Sequence, residues 1–319
     1  MYYRVIPYEK SFDTYGLIYS IPESYQEILW AGMLWEFPFG TKTIYGFLYE
    51  EVDEANLSDF FWQIRPMKGL VSEKVILRRE ELVLISFISD YYFCPIHQAL
   101  KLYISSSLLK DIISLKYFSR KEKLYEYKLC DDISLTQIQS EIYTKISNLN
   151  IGSISLLFWV TGSGKTQIYM KIIEEKLKKW EQTLLLIPEI LLSSQIGEKL
   201  RSVFWDDVLL LHSWISPVKK IQYFQDIASG RAKIIIGTRS SLFYSYKNLA
   251  AIIIDEEHDS SYNSDSNPRY NTFTIAKKMS EIYHCSLLLW SWTPQVTTMY
   301  QALAWNIHLF QMLESFSEE

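Results

Sequence analysis

An apolar run that ends in a glycine and lysine loop, and then passes directly into a helix-forming stretch, constrains this chain more than any other feature. Ser155 to Val160 is followed by Thr161-Gly162-Ser163-Gly164-Lys165-Thr166 and then by the helical pattern Gln167 to Trp180. A strand, a glycine loop and a helix N-terminus together present backbone N–H groups and a helix dipole to a phosphate. Lys165 adds positive charge, and the Thr166 hydroxyl can bind Mg²⁺. The segment therefore predicts a nucleotide-phosphate site.

Apolar runs recur along the second half of the chain and alternate with helical stretches. They are Ser155 to Val160, Thr183 to Ile187, Val208 to Leu211, Lys233 to Ile236, Ala251 to Ile254 and Ser286 to Leu289. Near-continuous apolar strands of this kind are what a parallel sheet covered on both faces requires. The pattern predicts an α/β fold with a doubly wound parallel sheet.

Acidic residues follow the fifth of these runs. Asp255-Glu256-Glu257-His258 stands at its carboxyl end, where ligands bind in open α/β sheets. We expect Asp255 to hold Mg²⁺, through water, and Glu256 to polarise the attacking water in a phosphoryl transfer. The phosphate loop and this acidic group predict a catalytic site made of Lys165, Asp255 and Glu256.

Composition and charge exclude several classes of protein. No apolar run reaches the roughly 18 to 20 residues that span a bilayer, and the N-terminus lacks the pattern of a signal peptide. We therefore expect a cytoplasmic protein with no membrane partner. The net charge of -5 argues against a globally basic nucleic-acid binder, so any DNA contact should be a local patch. Cys94, Cys130 and Cys285 never form a CxxC pair, and we expect no zinc site.

The first half of the chain has a different pattern. Residues 1 to about 105 are rich in short β-branched or aromatic runs, at Arg4 to Tyr8, Gly16 to Pro22 and Thr43 to Tyr49. Glu81 to Tyr92 predicts a helix that Pro95 stops. The stretch from Lys110 to Lys128 mixes both charge signs, which is typical of a linker or a long, solvated helix.

At this point the motifs match a known family. In order and spacing they resemble the PriA (primosomal protein N′) family of replication-restart DNA helicases of superfamily two. The segments that carry the resemblance are Leu186 to Ile190, Leu211 to Ser213, Ile236 to Phe243, Asp255 to Tyr262, Pro268 to Tyr270 and Ser291 to Pro294. Ser11-Phe12-Asp13, Phe37 to Gly40 and Ser89 to Ile96 look like that family's domain for the 3′ end of a nascent DNA strand.

The resemblance implies a domain order and an activity. It predicts a β-rich domain that binds DNA 3′ ends at 1–105, a linker at 106–134 in which the family's winged helix is reduced or missing, and a first RecA-like ATPase lobe at 135–319. It implies an ATP-dependent 3′-to-5′ DNA helicase that acts at stalled forks and loads the primosome. The implied cofactors are ATP and Mg²⁺. The implied partners are forked, single-stranded and 3′-end DNA, with primosome proteins and single-strand-binding protein.

The resemblance also assigns residue roles. Phe12, Asp13, Gly40 and Arg65 correspond to the pocket around the terminal nucleotide, where an aromatic face can stack a base. Thr238, Arg239, Arg269 and Tyr270 would face DNA, and the segment from Asp259 to Tyr270 resembles a loop that couples DNA contact to hydrolysis. His258, Ser291 and Thr293 resemble coupling residues. In helicase-like ATPases a glutamine at the place of Gln139 reads the adenine edge, although most glutamines are simply surface residues.

Some features depart from the family. The sequence stops soon after Ser291-Trp292-Thr293-Pro294, so we expect the second motor lobe and the zinc module to be missing. Tryptophan stands where the family has glycine, at Trp159, Trp214, Trp290 and Trp305, and Trp292 replaces an alanine. A degenerating gene or a misread codon is one hypothesis for this set. Two other readings stay open, a DNA fork or 3′-end binder without a working motor, and another P-loop enzyme such as a kinase or GTPase.

Overall fold

The computed structural model describes residues 1–10, 16–54, 57, 64–119, 122–127, 133–160, 164–189, 203, 208–212, 214–304 and 306–312. The chain forms two compact units. The first contains residues 1–120 and 265–270, and the second contains residues 121–264 and 271–319. The domain limits expected from the sequence, at 105 and 134, stay a prediction. Among the described residues, no helix is both long enough and apolar enough to cross a bilayer.

The first unit is built on an antiparallel sheet with the strand order β2-β1-β4-β3-β5. Its strands are β1 (Tyr2–Pro7), β2 (Leu17–Ser20), β3 (Leu34–Phe39), β4 (Lys42–Val52) and β5 (Gly69–Leu70). Side chains alternate between the faces of a strand. Trp35 and Phe37 of β3 therefore lie in one apolar core together with Val5 and Leu48. The expected β-rich first domain is confirmed, and its three predicted strands correspond to β1, β2 and β4.

Three helices follow this sheet along the chain. They are α1 (Arg79–Tyr91), α2 (Ile96–Tyr103) and α3 (Ser106–Ile113). The predicted helix from Glu81 to Tyr92 corresponds to α1. The long-helix alternative for Lys110 to Lys128 is wrong, because α3 ends at Ile113 and Leu115 has a left-handed φ of 58°. A left-handed residue cannot continue a right-handed helix.

The second unit is built on a parallel sheet with the order β12-β6-β11-β10-β7-β9-β8. Its strands are β6 (Ile154–Trp159), β7 (Gln182–Leu186), β8 (Leu209–Leu211), β9 (Ile234–Gly237), β10 (Leu249–Asp255), β11 (Ser286–Ser291) and β12 (His308–Met312). The six predicted strands are all present. The sequence did not predict β12, whose burial pattern is mixed and which pairs with β6 at the edge of the sheet.

Among the described residues, one helix precedes this sheet and four others lie between its strands, since parallel strands need crossover connections. They are α4 (Gln137–Ser147), α5 (Lys165–Lys178), α6 (Pro217–Ala228), α7 (Thr272–Tyr283) and α8 (Val296–Leu303). Local sequence explains where several begin. Ser216 accepts the first-turn N–H of α6 and Pro217 occupies the position after it, where its missing N–H costs nothing. Asn271 caps α7 in the same manner.

Candidate nucleotide and DNA sites

The three predicted catalytic side chains meet at the carboxyl edge of the parallel sheet. Lys165, the first residue of α5, donates from Nζ to Oδ1 of Asp255 at 2.6 Å and to Oε1 of Glu256 at 2.6 Å. Asp255 ends β10 and Glu256 follows it with a left-handed φ of 50°. Because β10 and β6 are parallel, the loop after β6 and the acids after β10 emerge at the same edge. The tertiary structure thus joins two motifs 90 residues apart.

The Asp255 carboxyl group has the environment of a cation ligand. It is fully buried, and that burial raises its pKa, while the adjacent Lys165 ammonium group opposes the rise. Among the described residues, its Oδ2 atom and Oε2 of Glu256 have no hydrogen-bond partner. A buried carboxylate oxygen without a partner is costly unless a cation or a donor completes it. Together with the Thr166 hydroxyl group at the start of α5, these residues fit Mg²⁺, which prefers oxygen ligands.

The phosphate loop is described only at its end. Thr161, Gly162 and Ser163 lie outside the described residues. Gly164 has a φ of 73°, and a Cβ atom there would come within 2.5 Å of the Gln139 amide nitrogen. The backbone angle therefore favours glycine at position 164, and a side chain there would displace the Gln139 amide group.

The Gln139 side chain makes hydrogen bonds to two other parts of the chain. It is buried, its Oε1 atom accepts the Thr136 N–H in a capping box, and its amide donates to the Gly164 carbonyl oxygen at 3.2 Å. The glutamine therefore ties the start of α4 to the end of the phosphate loop. Its role in reading adenine stays a prediction.

Trp159 lies directly beside this site. Its indole ring is buried, and the Lys165 Nζ atom lies 3.9 Å from the ring centroid. The strand has kept its place in the sheet, since Trp159 pairs with Met312 of β12. Trp159 therefore keeps its pairing in the sheet and lies with its ring against Lys165.

The predicted coupling residues form a short chain of hydrogen bonds. His258 Nδ1 and Ser291 Oγ share a hydrogen bond of 2.7 Å, and the Thr293 N–H donates to the same oxygen at 3.2 Å. His258 Nδ1 also lies 3.8 Å from Oε2 of Glu256. The acidic motif after β10 is thus physically connected to the motif that ends β11.

Two predicted DNA contacts of the second unit lie after β9. The Thr238 hydroxyl group is 3.3 Å from that of Ser240. Arg239 donates to the carbonyl oxygens of Ser261, at 2.7 Å, and of Asn263. In this structure Arg239 therefore holds the loop that follows the acidic motif, and its expected phosphate contact stays a prediction.

The first unit brings two predicted 3′-end residues together. Gly40 lies in the two-residue turn between β3 and β4 with a φ of 59°, and Arg65 donates to its carbonyl oxygen at 3.2 Å. Arg65 is exposed, and a Cβ atom at Gly40 would meet nothing within 4 Å. Phe12 and Asp13 lie outside the described residues.

The remaining predicted DNA residues, Arg269 and Tyr270, belong to the segment 265–270 of the first unit. Arg269 is exposed and Tyr270 is buried. Arg269 lines a cavity of about 280 Å³ with Tyr92, Phe93 and Gln98. Two motifs that the sequence analysis treated separately, Ser89 to Ile96 and Pro268 to Tyr270, therefore share one cavity.

Sequence reasoning missed several residues that position the site. The hydroxyl group of buried Tyr262 lies 2.6 Å from the Asp255 carbonyl oxygen and 3.0 Å from that of Leu186. Glu257 accepts the Gln295 N–H at 3.0 Å, which ties the acidic motif to the start of α8. No local pattern marks these pairs, because the partners are distant in sequence. Over the ranges described, no three His, Cys, Asp or Glu residues form a metal cluster.

Comparisons with known proteins match two families along the chain. Residues 136–301 match the DEAD/DEAH box helicase family, and residues 6–105 match the 3'DNA-binding domain (3'BD) named after PriA. The chain is 32% identical over 305 residues to the replication restart protein PriA of Helicobacter pylori, which covers 93% of this chain and 44% of that protein. It is 32% identical over 288 residues to PriA of Rickettsia felis, with 90% and 42% covered.

A shorter match is closer in sequence. Over 147 residues the chain is 40% identical to the replication restart protein PriA of Haemophilus influenzae, which covers 46% of this chain and 20% of that protein. The resemblance seen in the motifs is thus confirmed as similarity over most of the chain. The chain spans less than half the length of these curated relatives.

Proposed function

Because this chain belongs to the DEAD/DEAH box helicase family, we propose that it is the DNA-binding and first motor portion of an ATP-dependent helicase that restarts stalled replication forks. The observation that carries the proposal is the meeting of Lys165 with Asp255 and Glu256 at the carboxyl edge of the sheet. A lysine at a helix N-terminus beside two carboxylates is the arrangement that phosphoryl transfer uses.

The residues of the second unit have distinct roles in this proposal. Lys165 binds the terminal phosphates, while Thr166 and Asp255 hold the metal. Mg²⁺, when bound, neutralises the charge that develops on the phosphates. The Oε2 atom of Glu256, which lacks a hydrogen-bond partner among the described residues, accepts the proton of the attacking water. The His258 and Ser291 hydrogen bond then transmits the state of this site to the motif after β11.

The first unit supplies DNA recognition. We assign the binding of a 3′-terminal nucleotide to Gly40 and Arg65, which form an exposed corner, together with Phe12 and Asp13, which lie outside the described residues. Thr238, Arg239 and Arg269 contact phosphates of single-stranded or forked DNA without reading the bases. We propose 3′-to-5′ movement, primosome loading, and contacts with primosome proteins and single-strand-binding protein as properties of the complete helicase. These proposals rest on the relatives' names and on the matched 3'DNA-binding domain.

A second function is favoured by one observation. Trp159 occupies the place where the phosphate loop needs a small residue, and its ring covers Lys165. A chain that cannot open this site would still bind fork or 3′-end DNA, with no working motor.

Two binding measurements test the proposal. We expect Mg-ATP to bind the chain and Lys165→Ala to abolish this binding, as measured by calorimetry. On a fork with a recessed 3′-hydroxyl end, Arg65→Ala should weaken DNA binding about tenfold, the effect of one lost hydrogen bond to a charged group. Arg79→Ala, which removes an exposed arginine of α1, is the matched control. Equal binding of forks that end in a 3′ hydroxyl and a 3′ phosphate would contradict recognition of the 3′ end.

A further inference from the structure

Lys165 is held by three groups at once. Its ammonium group contacts both carboxylates of the acidic pair and lies against the face of the Trp159 ring. Only 13% of its side chain is exposed. A cation on an aromatic face is stabilised by the ring quadrupole, and more strongly when it is shielded from water. The ammonium group that would bind an incoming phosphate is thus already engaged by two carboxylates and an aromatic ring.

Trp159 is one of three buried tryptophans, with Trp35 and Trp290, whose Nε1–H has no hydrogen-bond partner among the described residues. Trp159 is only 6% exposed, so its Nε1–H donor is shielded from water. Buried tryptophans usually find a partner for this donor, because leaving it without one costs free energy. The ring packs on the side of the parallel sheet that carries Ile168 and Trp290. The ring therefore fills space beside Lys165 without completing a hydrogen-bond network among the described residues.

The acidic pair, Asp255 and Glu256, also contains polar atoms without hydrogen-bond partners among the described residues. Oδ2 of Asp255 and Oε2 of Glu256 are buried and have no hydrogen-bond partner within the described ranges. They remain available to a cation while Oδ1 and Oε1 are engaged by Lys165. A phosphate that binds the Lys165 ammonium group must draw it away from Oδ1 and Oε1 of this pair. Phosphate binding therefore depends on how firmly the Lys165 ammonium group is held.

We propose that Trp159 closes the phosphate site by holding Lys165 on the acidic pair, and that this residue sets the affinity of the chain for Mg-nucleoside triphosphates. The inference rests on the proposed nucleotide site and adds the residue that limits it. Removing the indole takes away one of the three groups that retain Lys165 and frees the space that the ring fills. Glycine at position 159 also matches the small residue that the phosphate-loop pattern requires.

Calorimetric titration with Mg²⁺ and a non-hydrolysable ATP analogue tests the proposal. We expect Trp159→Gly to bind at least about tenfold more tightly than the unchanged chain, a gain of roughly 1.4 kcal/mol. The matched control is Trp180→Gly, which makes the same exchange at an exposed tryptophan beyond the other end of α5. The control should bind within about twofold of the unchanged chain. Equal affinity of the Trp159→Gly variant and the unchanged chain would overturn the proposal and leave the nucleotide site standing.

A second variant covers loss of folding, since replacing a buried tryptophan by a small residue leaves a cavity. If Trp159→Gly loses its native circular dichroism, Trp159→Leu keeps apolar volume and removes the aromatic face. It should bind about threefold more tightly than the unchanged chain, because one retaining contact is lost. An unchanged affinity in this variant overturns the proposal. Absence of binding in every folded form, the unchanged chain included, would instead refute the nucleotide site itself.

Discussion

The C-terminus of α5 offers a test of backbone strain. Trp180 has a φ of 56°, its N–H donates to the Leu177 carbonyl oxygen at 2.9 Å, and the Glu181 N–H donates to that of Lys176 at 3.0 Å. This pair of hydrogen bonds is the Schellman motif, whose left-handed position favours glycine. A side chain in that conformation costs roughly 1 to 2 kcal/mol.

The magnitude follows from what each substitution removes. Trp180 is 63% exposed, and the Lys233 Nζ atom lies 5.6 Å from its ring centroid. That contact contributes about 0.5 kcal/mol at an exposed site. Trp180→Ala loses the contact and keeps the backbone cost, whereas Trp180→Gly loses both. We therefore expect the glycine variant to have a free energy of unfolding about 1 kcal/mol higher than the alanine variant.

Urea unfolding followed by far-ultraviolet circular dichroism measures the difference without relying on tryptophan fluorescence. With a slope of about 1 to 3 kcal/mol per molar urea, the midpoints should differ by about 0.3 to 1 M. Lys171, inside α5, is the control position, where alanine should be more stable than glycine by about 1 kcal/mol. If alanine is also the more stable residue at position 180, the assignment of backbone strain there is refuted.

Three further outcomes are expected. Gln182→Leu should lower the free energy of unfolding by about 2 to 4 kcal/mol, since this buried amide donates to the Ile227 and Ala232 carbonyl oxygens and accepts the N–H groups of Lys247 and Asn248; a shift in thermal midpoint within error would contradict it. In the complete helicase, Ser291→Ala should reduce DNA-stimulated ATP turnover while Mg-ATP affinity stays within about twofold. If DNA stimulates turnover equally in this variant, the hydrogen bond between His258 and Ser291 plays no part in coupling. Peptide mass spectrometry of the protein from its native cells tests the misread-codon hypothesis at Trp159, Trp214 and Trp290: glycine masses would support it, and tryptophan masses would dispose of it.

Much of the fold could be predicted from the sequence because its elements are encoded locally. The six predicted strands of the second unit are runs of neighbouring apolar residues, and a parallel sheet buries such runs on both faces. The phosphate loop and the Asp255 motif were recognisable for the same reason, since each is a contiguous pattern. The parallel topology then predicts that both reach one edge of the sheet.

Only the tertiary structure decided which side chains distant in sequence contact one another. The sequence places Trp159 where the family has glycine, but only packing sets its ring against Lys165 while β6 pairs with β12. The same holds for Arg65 at the Gly40 carbonyl oxygen and for Tyr262 beneath Asp255. A local pattern specifies a helix or a strand, but contacts between distant residues depend on how these elements pack. The sequence alone therefore predicts a phosphate site and an acidic partner, while packing decides that the Lys165 ammonium group lies against the two carboxylates and the Trp159 ring.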